Sequence, residues 1–303
     1  MNNFKKIQLI ICVLISSLLI AQQEAVVSIP FPASVVKLLI KPSETNSAIK
    51  NFDSAHLVIY NPNGKQGKLL VFLPGTNGVA VNGPQDFFAT AIKQGYRVIS
   101  LQYITVPAVA QVCIGDTLSK NPLCTEEFRT HRIFGNNDFS LILDQPQDAI
   151  IPRLKSLLEY LNINDPRGNW KFYLENGVPI WNIIALAGQS QGGGMAAFIG
   201  KQLLVNRVIS FSGGWDFAAK NEIAKWYYSK SITPDYRWNA TYHISEPTAS
   251  ILEETYKAMK IPSNHIYRLD KEVRPDKLAH GEGVKNPAYV KVWKEMMGIG
   301  ELR

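Results

Sequence analysis

The chain has 303 residues, of which 46% are hydrophobic and 19% charged, a composition ordinary for a globular protein and a length that suits one large α/β domain or two small ones. Its 32 Lys and Arg against 25 Asp and Glu give a formal charge of +7. The basic residues are scattered rather than gathered on one face, which excludes a nucleic-acid footprint and leaves only mild attraction to anionic surfaces.

The first residues read as a targeting signal. Lys5 and Lys6 precede an apolar run from Ile7 to Ile20, and Ala21 before Gln22-Gln23 offers a small-residue cleavage point. This is the three-part layout of a secretory signal peptide over residues 1–21. The run is short for a membrane span, and an uncleaved N-terminal anchor is the alternative. Cys12 sits inside the run, so lipid attachment at the cleavage point is not expected. No later stretch is apolar enough to cross a bilayer. The mature chain, 22–303, is expected to be soluble and exported, to the periplasm or beyond it, with no stable membrane span.

After the signal, strands and helices alternate. His56 to Tyr60 is a strand ended by the turn-forming Asn61-Pro62-Asn63-Gly64. Lys68 to Leu73 is a buried strand running into Pro74-Gly75-Thr76-Asn77-Gly78. A helix over Asp86 to Gln94 is capped by Gly95, and Tyr96 to Leu101 is the next strand. A long irregular insertion, about Thr105 to Gln147, then carries Cys113 and Cys124. An even pair of cysteines in an exported chain most simply forms one disulfide, which would also account for so long a stretch without regular structure. Two buried free thiols are the alternative. With no histidine at ligand spacing, zinc is not expected.

Asp148 to Leu161 has helical periodicity, with Ile151, Leu154, Leu158 and Leu161 on one face. The most informative segment follows. Trp181 to Ala187 reads as a strand, Gly188-Gln189-Ser190-Gln191-Gly192 as a tight turn, and Gly193 to Ile199 as the start of a buried helix. Strand, glycine-bounded turn presenting one serine, and helix make the layout of a nucleophile elbow. The turn is strained and the helix packs close to the strand, so small residues are required at both ends. Beyond it come a strand at Arg207 to Ser212, an aromatic excursion from Trp215 to Trp238, a weaker strand at Thr241 to Ile244, a helix at Thr248 to Lys260, a strand at His265 to Leu269, and a closing helix near Ala288 to Met297. Strands joined by helices imply one doubly wound α/β domain whose mainly parallel sheet is covered on both faces.

A serine hydroxyl needs a base to remove its proton and an acid to hold that base in the right tautomer. Of five histidines, His56 and His243 lie in strands, His131 in the insertion, and His265 at the opening of the last strand. His280 alone sits beyond that strand, in the small-residue loop Leu278 to Gly283, where an imidazole can reach the sheet edge from which the elbow serine projects. Glu246, just past a strand end and before Pro247, is the favoured acid. Asp216 is the alternative and Asp270 the next; a helix cap or surface charge explains each as well, Glu246 lying ahead of a helix whose dipole favours a carboxylate. The backbone N–H of Gln191 and that of Thr76 or Asn77 are the expected oxyanion donors.

The order Ser190, acid, His280, with the elbow on a mid-chain strand, resembles the α/β-hydrolase superfamily over nearly all of the mature chain. The exported profile and the cysteine-bearing insertion are similar to secreted bacterial esterases and lipases. The resemblance implies an eight-stranded, mostly parallel sheet and hydrolysis of a small or polymeric ester through a covalent acyl-enzyme on Ser190, with no metal or organic cofactor. Two departures stand out: the acid is Glu where Asp is usual, and Leu73-Pro74-Gly75-Thr76 replaces the His-Gly pair of many oxyanion loops. The aromatic excursion, with Trp215, Phe217, Trp226, Tyr227, Tyr228, Tyr236 and Trp238, reads equally as a cap over the site or as packing. A rival reading keeps the fold but binds an apolar or glycan ligand without catalysis, and it expects Ser190 out of reach of any histidine.

Overall fold

Strands buried on both faces carry continuous apolar runs instead of alternating ones, and Leu69-Leu70-Val71-Phe72-Leu73 is such a run, buried at every position. The computed structural model describes residues 27–136 and 138–302; the expected signal peptide, with Cys12, lies outside the described residues. Eight strands form one sheet: β1 Val36–Ile40, β2 His56–Tyr60, β3 Leu69–Leu73, β4 Arg97–Ser100, β5 Ile184–Gln189, β6 Arg207–Phe211, β7 Trp238–His243 and β8 Ile266–Leu269. Their order is β1-β2-β4-β3-β5-β6-β7-β8. β2 runs antiparallel to both β1 and β4, and every other pairing is parallel.

Side-chain alternation splits each central strand between two cores. Leu70, Phe72, Ala185, Ala187 and Phe211 face one side; Leu69, Val71, Leu73, Leu186 and Val208 face the other. The first side is covered by α1 Gln85–Lys93 through Phe87 and Phe88. The second is covered by α2 Cys124–Phe134, α3 Ile150–Asn164, α4 Gln191–Gln202 and α5 Ala249–Ala258, which contribute Phe128, Leu154, Phe198 and Leu252. Two C-terminal helices, α6 Ala279–Lys285 and α7 Val290–Met297, return to the first side with Val284 and Trp293. Because β4 lies on one side of β3 and β5 on the other, the winding reverses there, and ligands in such sheets bind at the carboxyl ends beside that reversal.

Two expectations need correction. The insertion is not irregular: Val109–Val112, Gly115–Lys120 and α2 are helical. The periodicity of α2 is hidden because its buried face includes Arg129 and Arg132 beside Phe128 and Ile133, and those charges are neutralised by ion pairs with Asp216 and Asp144. The second is β1, an unexpected edge strand in which Leu39 is 63% exposed, so no buried run announces it. Cys113 and Cys124 form the disulfide, with Cα atoms 5.6 Å apart, tying the loop ahead of α2 to its first turn. Among the described residues no helix is long and apolar enough to cross a membrane.

Candidate active site at the ends of β3, β5, β6 and β7

Ser190 follows β5 and adopts φ 57°, ψ −122°, a conformation that costs free energy for any residue with a Cβ. The surroundings hold it there. Its N–H donates to Phe211 O at 2.9 Å, and its carbonyl accepts from Gly194 N–H at 3.1 Å in the first turn of α4. The flanking glycines are required by close approach. A Cβ at Gly188 would lie 2.3 Å from the Gly192 carbonyl, and one at Gly192 would lie 2.0 Å from Leu73 O. Strand, turn and helix are thus pressed together around one serine.

The loop after β3 is pressed equally close. A Cβ at Gly75 would stand 3.2 Å from Ser190 Cβ. The loop closes on itself through Gly78 N–H to Gly75 O at 2.8 Å, and Tyr103 Oη donates to Pro74 O at 2.8 Å. Thr76 lines a small cleft of about 30 Å³ with Ser190 and Gln191. Asn77, with φ 59°, lines a different depression with Gly75 and Gln189. Gln191 is the first residue of α4, so its N–H belongs to the unpaired set at a helix start. Its side chain has a second task that its place in the motif does not reveal: it accepts from Val109 N–H at 3.0 Å and donates to Thr105 O at 2.9 Å, fastening the insertion to the elbow.

Glu246 and His280 meet. His280 Nδ1 lies 2.6 Å from Glu246 Oε2, while Oε1 accepts from Ser212 Oγ at 2.6 Å and from His243 N–H at 2.7 Å. The Glu246 side chain is 1% exposed and that of His280 31%. Burial on its own would raise the Glu246 carboxyl, but the hydrogen bonds from His280, His243 and Ser212 outweigh it and hold the group below the ordinary glutamate value. His280 is not in a loop: it is the second residue of α6. Gly281 and Gly283 depress helix propensity and so disguise the helix, yet Gly283 is needed because a Cβ there would come within 3.0 Å of Leu269 and 3.1 Å of Thr241. The His280 carbonyl accepts from Gln189 Nε2 at 3.3 Å, next in sequence to Ser190, and its ring packs edge-on to Trp215 with centroids 5.4 Å apart. Trp215 also lines the cleft beside Ser190. Ser190 Oγ makes no side-chain hydrogen bond among the described residues.

Asp216 and Asp270 are placed elsewhere. Asp216 receives Arg129 Nε at 2.5 Å and Nη2 at 2.7 Å, and Trp226 Nε1 at 3.0 Å, so its oxygens face a cation rather than an imidazole. Asp270 is exposed. Of the aromatic excursion, Trp226, Tyr227 and Trp238 are buried, Tyr228 and Tyr236 are exposed, and Phe217 lines a separate groove with Cys113 and Leu118. Sequence reasoning missed Ser212 and Arg129 as parts of this region, while Trp215 belongs to the aromatic excursion read there as a cap or as packing. Ser212 follows β6 with φ 46°, ahead of Gly213-Gly214, and that strained turn is its only local signal. Among the described residues no group of three or more His, Cys, Asp or Glu could hold a metal ion.

No protein-family model and no curated protein sequence matches this chain. Solved structures do. An esterase B from Lactobacillus rhamnosis is 12% identical, with 88% of this chain and 87% of that one covered at a TM-score of 0.53. A carboxyl esterase 2 from Tuber melanosporum is 9% identical, with 93% and 96% covered at a TM-score of 0.48. At such identities the likeness to the esterase B concerns the fold alone, and the eight-stranded, mostly parallel sheet with helices on both faces has the α/β-hydrolase fold.

Proposed function

We propose that this protein is an exported serine hydrolase that cleaves carboxylic esters through an acyl-enzyme on Ser190. The observation that carries the reading is the 2.6 Å hydrogen bond between His280 Nδ1 and a buried Glu246 carboxylate, set against the same tryptophan that lines the cleft at Ser190. Glu246 accepts at Nδ1 and so leaves Nε2 as the proton acceptor. In this scheme Ser190 Oγ attacks the ester carbonyl carbon while His280 Nε2 takes the hydroxyl proton, and Glu246 stabilises the resulting imidazolium. The developing oxyanion is met by Gln191 N–H and by Thr76 N–H, the loop residue that shares the cleft. Collapse breaks the ester C–O bond and His280 protonates the departing alcohol. A water then repeats the sequence against the acyl-enzyme, returning the carboxylic acid and free Ser190. The resting Ser190 hydroxyl, without a side-chain partner, suits a site whose last hydrogen bond forms with substrate in place.

The test is labelling of the purified protein by a fluorophosphonate probe, beside Ser190→Ala and His280→Ala variants. Labelling that requires both residues is expected. A folded wild type that neither takes the probe nor turns over any ester would overturn the reading in favour of a non-catalytic binding protein.

A further inference from the structure

One charged side chain in the cleft has no part in that reaction. Arg129, from the insertion helix α2, lines the cleft with Thr76, Val109, Ser190 and Trp215, and its side chain is 1% exposed. Nε and Nη2 are committed to Asp216. Nη1 is buried with no hydrogen-bond partner among the described residues, although a buried unmet donor is costly and rare in folded proteins. The guanidinium lies over the first turn of α4: a Cβ at Gly194 would come within 2.5 Å of Nη2 and 2.9 Å of Nη1. Gly194 is also the residue whose N–H bonds the Ser190 carbonyl at 3.1 Å. Glycine there is what allows a cation to rest this close to the serine.

Charge selects what the free donor would accept. Arg129 and Asp216 neutralise each other, and Asp216 is further satisfied by Trp226 Nε1. An anionic acyl group would bring an uncompensated charge into a buried site that already holds the Glu246 carboxylate. A plain hydrocarbon would leave Nη1 unmet. A neutral oxygen meets the donor without adding charge. The cleft's volume, about 30 Å³, is far below that of ordinary ligand pockets and limits what enters beside Ser190 to a short chain of a few heavy atoms.

We infer that the cleft takes a short acyl group bearing a neutral oxygen acceptor, an ether, keto or hydroxyl oxygen, which Arg129 Nη1 binds. The inference rests on the reading of Ser190 as the nucleophile. Isosteric p-nitrophenyl esters test it on the wild-type protein: methoxyacetate against butyrate, 3-methoxypropanoate against pentanoate, and the anionic hemisuccinate. Each kcat/KM is divided by the same ester's rate constant with hydroxide, which removes intrinsic reactivity. A charge-assisted hydrogen bond is expected to favour at least one oxygen-bearing ester over its hydrocarbon twin by about 10-fold or more. Arg129→Lys, which loses the planar fork, should bring that ratio toward one. Ser190-dependent hydrolysis with both ratios near one, or with hemisuccinate preferred, overturns this inference and leaves the esterase reading standing. A folded protein that hydrolyses none of the esters and takes no fluorophosphonate overturns both.

Discussion

Glu246→Gln is the substitution that most sharply tests the proposed acid. Oε1 of Glu246 is fixed as an acceptor by two donors, Ser212 Oγ at 2.6 Å and His243 N–H at 2.7 Å. A glutamine in the same place would therefore keep its oxygen on that side and turn its NH₂ toward His280 Nδ1. Nδ1 would then have to accept, the ring proton would move to Nε2, and the nitrogen needed to receive the serine proton would already carry one. Wrong-tautomer substitutions of this kind cost about 10⁴-fold in kcat, equivalent to roughly 5.5 kcal/mol of transition-state stabilisation. Packing is almost unchanged, so the protein should unfold at nearly the wild-type denaturant midpoint. Asp216→Asn should behave in the opposite way. It leaves the buried Arg129 guanidinium without its counter-charge and should cost roughly 3–5 kcal/mol of stability, while folded protein retains measurable turnover. Turnover of p-nitrophenyl acetate and urea unfolding of both variants decide the matter. A Glu246→Gln enzyme within about 10-fold of wild type, or a stable Asp216→Asn enzyme without activity, would refute the assignment.

The elbow, the disulfide and a buried histidine give three further expectations. Gly192→Ala would drive a methyl to 2.0 Å from Leu73 O and 2.5 Å from Pro74 O; backbone cannot yield there cheaply, so a loss of about 3 kcal/mol in stability together with fluorophosphonate labelling is expected, and normal labelling would count against it. Reducing the Cys113–Cys124 bond, which closes a sequence separation of 11, should lower unfolding free energy by about 3 kcal/mol in the chain-entropy account, read as a shift in denaturant midpoint; an unchanged midpoint would rule that out. His56 is pushed down from 6.5 to about 3, first by burial and then by Arg153. Below 6.5 the unfolded chain gains a proton that the folded chain refuses, so stability falls by about 2 kcal/mol from neutral pH to about pH 5. A His56→Gln variant should flatten that part of the profile, and an equally steep fall in the variant would exclude His56 as its source.

What the sequence announces here is whatever a short segment can state by itself. Continuous apolar runs mark β2 from Leu57 to Tyr60 and β3 throughout because both faces of each are buried. Gly188 and Gly192 flag the elbow because the contact they permit is local, between a strand and the helix that follows it. The opposite holds for α2. Its buried face is written in arginine, and arginine becomes a core residue only through Asp216, 87 residues away along the chain from Arg129, and Asp144, 12 away from Arg132. Nothing within the segment states that pairing. The helix bearing His280 is obscured for a similar reason, since Gly283 looks like a loop residue until Leu269 and Thr241 are seen against it.

The same contrast accounts for the length of the proposed acid, a glutamate rather than an aspartate at 246. The chain turns sharply after β7, with Glu246 N–H bonded back to His243 O at 2.9 Å. From that turn the carboxylate bridges two places at once: Oε1 is anchored at the β7 end and on Ser212 beyond β6, and Oε2 extends to His280 on α6. An aspartate is one methylene shorter, by about 1.5 Å of reach. Fixed to the His243 N–H and Ser212, it would fall short of Nδ1; drawn to Nδ1, it would release the donors that keep a buried carboxylate ionised. The longer acid and the strained Ser212 therefore form one device. Glu246→Asp should lose more activity than its conserved charge suggests, with Ser212→Ala adding little further because the anchor is already broken.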